Sequence, residues 1–236
     1  MSGGIGPALG SAAMKTAYFG SRQSNTVLIQ MVDARDLSLM EREFDLIRSR
    51  TKERDFLFAA AQVHDWNRDL SPWPAPPVYG AEDFGGGAAA TLSCLLEEVV
   101  LPLQREERRF YLGGYSLAGL FALWAAYQTD VFSGTAAVSP SVWFPGFREY
   151  AAENRPRTNA VYLSLGTKEE KTRHPVMAQV GRAMRDIHGR LERTGTVCAL
   201  EWYEGNHFRE PEKRMAKGFA WLLGTEPAEE ECEHAQ

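Results

Sequence analysis

The residues whose types and spacing bear on chemistry are Ser116, His207 and the acid pair Glu169 and Glu170. Ser116 lies in Gly113-Gly114-Tyr115-Ser116-Leu117-Ala118-Gly119-Leu120. The apolar run Phe110-Tyr111-Leu112 leads in, and a run of good helix formers leads out from Leu117 to Tyr127. This reads as strand, tight turn and helix, the context in which a Gly-x-Ser-x-Gly turn exposes a nucleophilic serine. The glycine two residues before the serine lets the turn close without a side-chain clash. The residue two after must be small because the helix crosses close to the strand there. In this chain it is Ala118, followed by Gly119, so the strict motif is departed from by one methyl group.

A serine hydroxyl is a weak nucleophile until a base takes its proton, and the base needs a third group to hold its ring. His207 sits in the turn Glu204-Gly205-Asn206-His207-Phe208, shortly before Pro211. His64 is the competing base, but it follows the strand 56–63, where a triad running serine, acid, histidine along the chain would not place it. His174 comes too soon after Gly166 and reads as a cap for the next helix. For the acid, Gly166-Thr167-Lys168-Glu169-Glu170-Lys171 offers two carboxylates. Glu169 is favoured, with Glu170 open as the alternative. Attack on a carbonyl would also require donors fixed in advance for the developing oxyanion. One is the backbone N–H of Leu117, and the other is expected from Ala34 or Arg35 in the turn Asp33-Ala34-Arg35.

The elements that must position these groups follow from periodicity. Strands are expected at 15–19, 26–32, 56–63, 109–114, 134–138, 160–165 and 197–203. Helices are expected at 37–50, capped by Asp36 or Ser38, at 88–104, ended or kinked by Pro102, and from Leu117 to about Thr129. Three more are expected at 147–153, from Pro175 through Leu191, and from Pro211 onward with Met215, Phe219 and Leu222 inward. Residues 64–87 read as one long irregular stretch with four prolines and Gly85-Gly86-Gly87, ordered by Trp66, Trp73, Tyr79 and Phe84. Alternating strands and helices imply a mostly parallel sheet with helices on both faces. Ser116, Glu169 and His207 then follow three strand ends, on the edge where function collects in such sheets.

The length of 236 residues suits one α/β domain over residues 14–224, with 1–13 and 225–236 as flexible tails. Apolar residues make up 44% of the chain, enough for a full core. The net charge of −5 is accounted for by Glu226, Glu229, Glu230, Glu231 and Glu233, so the body is balanced and offers no nucleic-acid footprint. Cys94, Cys198 and Cys232 are odd in number and widely spaced, fitting neither a metal site nor a disulfide framework. No signal-peptide pattern and no apolar run near ~18 residues is seen, so a cytoplasmic location, off the membrane, is expected. No metal or cofactor is expected, and a homo-oligomer stays compatible with the sequence.

Taken together, several stretches resemble an esterase family of the α/β-hydrolases that includes S-formylglutathione hydrolase-like enzymes and siderophore esterases. They are Arg68-Asp69-Leu70-Ser71-Pro72, the Gly85-Gly86-Gly87-Ala88 start of the helix ending at Leu101-Pro102, and Gly114 to Leu120. Ala137-Val138-Ser139-Pro140-Ser141-Val142-Trp143, Leu165 to Glu169, and Glu204 to Phe208 complete the set. The resemblance implies an α/β-hydrolase fold, here reduced at its N-terminus. It also implies Ser116 as nucleophile, Glu169 as acid, His207 as base, and the Trp143 loop beside the pocket. It departs at Ala118, at the first strands, and at the charged turn after 26–32. The implied activity is hydrolysis of a small-molecule carboxylic ester through an acyl-enzyme, with Trp66, Trp73, Trp143 and Phe144 as pocket wall. An acyltransferase with the same three residues, and a catalytically silent binding module, are the competing readings. At least one of the four aromatics is expected to be plain loop packing.

Overall fold

The computed structural model describes residues 13–52 and 54–225. The elements run β1 (Thr16–Gly20), β2 (Thr26–Val32), α1 (Met40–Arg50), β3 (Leu57–Gln62), α2 (Trp66–Leu70), β4 (Pro74–Ala75) and β5 (Phe84–Gly85). Then come α3 (Ala88–Leu95), a π-helical turn (Leu96–Val100), α4 (Leu101–Leu103), β6 (Arg109–Tyr115), α5 (Leu117–Gln128) and β7 (Phe132–Val138). The chain continues through α6 (Phe147–Glu153), β8 (Ala160–Gly166), α7 (Val180–Arg193), β9 (Val197–Tyr203) and α8 (Pro211–Gly224).

Seven strands form one sheet in the order β1-β3-β2-β6-β7-β8-β9. Only β1, at the edge, runs antiparallel, against β3; the other neighbours are parallel. Strands covered on both faces need apolar side chains both up and down. Accordingly β2 and β8 are buried along their whole length. Side chains alternate between two cores. Val27, Ile29, Leu57, Leu112 and Leu163 pack under α3, α5, α6 and α7. Leu28, Phe58, Tyr111, Ala136 and Tyr162 pack under α8 and α1. The α5 segment is apolar all round and buried from Leu117 to Tyr127, as a helix at the centre of its layer must be. Among the described residues, no helix is long and apolar enough to cross a membrane.

Four local expectations change. The stretch 64–87 is not wholly irregular: it holds α2, whose N-cap Asp65 accepts from the Arg68 N–H, and an antiparallel β4–β5 ribbon. Neither Asp36 nor Ser38 caps α1. A 3₁₀ turn at Asp36–Leu39 leads into it, and the Asp36 N–H donates to Asp33 Oδ1 at 2.9 Å. The helix expected at 88–104 widens into the π-helical turn before ending at Leu103. Pro102 has no N–H to give Glu98, which accounts for the break in the regular ladder. Finally, α7 starts at Val180 after a 3₁₀ turn, so Pro175 lies ahead of its first turn. The expected tails fall outside the described residues, save Ala13 and Thr225.

Candidate active site

The parallel strands end on one edge of the sheet, and three of those ends carry the candidate residues. Ser116 directly follows β6 at φ 60°, ψ −121°, a strained backbone for a residue with a side chain. The turn closes because Gly114 has no Cβ; one placed there would lie 2.3 Å from the carbonyl of Ala118. A Cβ on Gly119 would lie 2.9 Å from the carbonyl oxygen of Gly114. The closest approach of helix to strand is thus carried by Gly114 and Gly119, which leaves room for the methyl group of Ala118.

His207 stands in the turn after β9, with Nε2 3.0 Å from Ser116 Oγ. Its Nδ1 lies 2.7 Å from Oε2 of Glu169, in the turn after β8. The other carboxylate oxygen of Glu169 accepts from the Gly166 N–H at 2.7 Å, Ser139 Oγ at 2.6 Å and Arg214 Nη2 at 3.2 Å. The Glu169 side chain is 7% exposed, against 31% for His207. Burial works against the ionised form of Glu169, but the His207 ring, the Ser139 hydroxyl and the Gly166 N–H outweigh it. The carboxyl therefore titrates below the ordinary range. Glu170 turns the other way and forms a two-pronged pair with Arg185, at 3.0 and 3.1 Å.

Three partners of this array have no signature in the sequence. Arg214 in α8, 3% exposed, reaches Glu169, Ser139 Oγ and, at 2.9 Å, the Tyr115 hydroxyl. Tyr115 donates in turn to the backbone carbonyl of His207 at 2.5 Å. Burial pushes the Tyr115 phenol up to about 12, despite the nearby Arg214 charge, so it keeps its proton and its role as donor. Ser139 follows β7 with φ 43°. Arg214 precedes the inward stripe of α8 by one position and directly follows Glu212 and Lys213, where a solvated side chain is the ordinary reading.

The Leu117 N–H is the first of α5 and has no partner within the helix. The Arg35 N–H, by contrast, donates to Asp33 Oδ1 at 2.7 Å. This corrects the expectation that it is free for an oxyanion. A cavity of about 560 Å³ opens at Ser116 and His207, walled by Trp66, Tyr79, Trp143, Met177 and Phe208, with Arg35 and Lys168 among its lining. Two of the four expected wall residues are elsewhere. Phe144 is 1% exposed and packs in the core. Trp73 donates its indole N–H to the Pro145 carbonyl at 2.9 Å and lies against Phe144, Phe147 and Tyr150. Both are loop packing, which amphipathic aromatics do as readily as they line pockets.

A mostly parallel sheet with helices on both faces, and a serine on the strained turn between β6 and α5, is an α/β-hydrolase fold. No family model matches the chain. The uncharacterized protein YbbA of Bacillus subtilis is 21% identical over 205 residues, covering 79% of this chain and 82% of that protein. An IroE-like serine hydrolase from Shewanella oneidensis superposes with a TM-score of 0.68 at 16% identity, over 89% of this chain and 75% of that one. The siderophore hydrolase EstA of Aspergillus nidulans gives 0.63 at 20% identity, over 96% of this chain and all of that one. The enterobactin esterase FES of Shigella flexneri gives 0.58 at 16%, over 92% of this chain and 61% of that one. At these identities the likeness establishes the fold.

Proposed function

We propose that this chain is a serine ester hydrolase acting through an acyl-enzyme. The observation that carries the reading is the unbroken line from Ser116 Oγ through both ring nitrogens of His207 to a buried Glu169, opening onto an aromatic cavity. Ser116 Oγ attacks the ester carbonyl while His207 Nε2 takes its proton. Glu169 holds the ring and stabilises the imidazolium. The Leu117 N–H stabilises the oxyanion; with Arg35 committed to Asp33, Ala34 is the member of that pair left to give the second donor. Collapse breaks the ester C–O bond, and His207 returns the proton to the leaving alcohol. Water, activated by the same histidine, then releases the acid and restores Ser116.

The substrate is a small-molecule ester whose bulk rests on Trp66 and Trp143. Lys168 suits an electron-rich or anionic portion of it. The names of the similar structures put siderophore esters among the compounds to assay, next to simple aryl esters. Cys94 and Cys198 are free thiols, in keeping with a cytoplasmic setting. The test is labelling by a fluorophosphonate probe, with the modified residue located by mass spectrometry, alongside release of acid from an aryl ester in water. Labelling at Ser116 with acid release is expected. A folded protein that does neither would end the reading.

A further inference from the structure

A second cavity, of about 340 Å³, lies on the other side of Ser116 and His207. It sits between the end of β2, the start of α1 and the start of α8. Arg35, Trp66 and Phe208 line both cavities and form the divide. The chemistry of the second one differs. Glu43 of α1, 2% exposed, and Gln30 of β2, 4% exposed, both line it. Gln30 Nε2 donates to Glu43 Oε2 at 3.3 Å. That leaves Gln30 Oε1 and Glu43 Oε1 buried, and neither accepts a hydrogen bond from any described residue. A buried acceptor without a donor costs free energy, so a fold that keeps two of them on neighbouring side chains that line a cavity calls for a reason.

The surrounding charges narrow what fits. Asp33, Asp36 and Glu212 also line the cavity, against one guanidinium, Arg35. Arg35 is taken up by Asp33 at 2.7 Å, and Glu212 pairs with Arg42 at 3.3 Å. With those two pairs formed, Asp36 leaves the wall with a net negative charge that disfavours an anionic group, and a neutral hydroxyl brings a single donor to two acceptors. An alkylammonium brings three donors and a positive charge.

We propose that this second cavity is a substrate subsite for an ammonium group, carried on the acyl or the alcohol part of the ester and selected by Glu43 and Gln30. The subsite rests on the reading of Ser116 as the nucleophile, which it extends to a substrate class. Burial, opposed by the Gln30 hydrogen bond and reinforced by the charges of Glu212 and Asp36, pushes Glu43 up to about 8. At pH 7 the empty site therefore holds a protonated carboxyl, whose O–H is the single donor the two oxygens then have, and an arriving ammonium displaces that proton to solvent and supplies three donors as the ion pair forms. Tyr115 and His207 also face the cavity, along with the charged residues named above. The Glu43→Gln variant separates the Glu43 proton from theirs.

The experiment has two arms, both on the full chain. In the first, kcat/KM is measured for matched esters that end in an ammonium or in a methyl group, with the group placed on the acyl chain in one pair and on the alcohol in the other. Wild type is expected to favour the ammonium ester of one pair by about tenfold or more, the discrimination that one charge-assisted hydrogen bond supplies. In Glu43→Gln that ratio should collapse toward one. Neutral esters cleaved with no ammonium preference overturn the subsite and leave the hydrolase reading standing. A preference that persists in Glu43→Gln overturns the assignment to Glu43. In the second arm, calorimetry at pH 7 in buffers of different ionisation enthalpy compares butylammonium with 1-butanol. Tighter binding of butylammonium with proton release, seen in wild type and lost in Glu43→Gln, supports the subsite even if no ester is cleaved. Equal or absent binding of the two probes overturns it.

Discussion

Arg214 Nη2 stands 3.2 Å from Glu169 Oε1, the carboxylate oxygen that His207 does not use. The arginine is almost fully buried, so it holds the acid from behind while the base faces it from the front. Removing one partner of a buried pair costs far more than the pair's net worth, about 3–5 kcal/mol, because the other charge is left without compensation. Arg214→Met is therefore expected to lower the thermal midpoint sharply. Arg214→Lys keeps the charge but loses the fork, and should fall between. In the lysine variant kcat should drop more than KM rises, since the residue positions Glu169 and does not touch substrate. A methionine variant as stable as wild type would show that Glu169 is held without it.

Ser116→Ala should abolish ester hydrolysis and fluorophosphonate labelling while leaving circular dichroism unchanged. Losses for the nucleophile of such an array are typically on the order of 10⁴–10⁶ in turnover. Near-normal turnover by the folded variant would remove Ser116 from the chemistry.

Glu169→Gln and Glu170→Gln should part company. The first takes away the charge beside the His207 ring and is expected to cost roughly 10²–10⁴ in turnover at pH 8. The second weakens a surface pair with Arg185, which typically matters by well under about 1 kcal/mol. Equal losses would mean that both carboxylates serve the histidine.

Glu43 predicts a pH dependence of stability with a definite sign. Its folded-state value of about 8 lies above the ordinary 4.5. Between those two values the folded chain binds more protons than the unfolded one, so stability falls as pH rises through that window and then levels off. The slope is at most about 1.4 kcal/mol per unit. Glu43→Gln should unfold at a higher temperature than wild type at pH 8.5, and the difference should shrink toward pH 5. A constant offset between the two pH values would show that another group is titrating.

Much of the frame can be read along the chain because it is written in short-range patterns. The strand 26–32 is apolar from Val27 to Val32 save for Gln30, α6 and β9 keep their bounds, and β8 extends the expected strand only by Gly166. A parallel sheet then puts Ser116, Glu169 and His207 on one edge whatever the loops do. What escapes the sequence depends on distant partners. Five-residue α2 is too short to show a period, and its cap is one aspartate among several. Trp73 and Trp66 are the same residue type in the same stretch, yet one meets Phe147 and Tyr150 while the other meets the cavity. Gln30 is visible as a polar interruption of β2, but its partner Glu43 lies a full helix entry away. Arg214 looks like any basic residue near a helix start until α8 packs it beside β6 and β8.

The hydroxyl of Tyr115 ties the residue before the nucleophile to the backbone of the base, and Arg214 ties that hydroxyl to α8. The loop bearing His207 is thus anchored to the central strand and to a core helix at once. An array fastened in this way does not fray ahead of the body that carries it. On slow heating, loss of turnover should follow the same curve as loss of near-ultraviolet ellipticity from the packed aromatics. There should be no temperature band in which the protein is still folded but already inert.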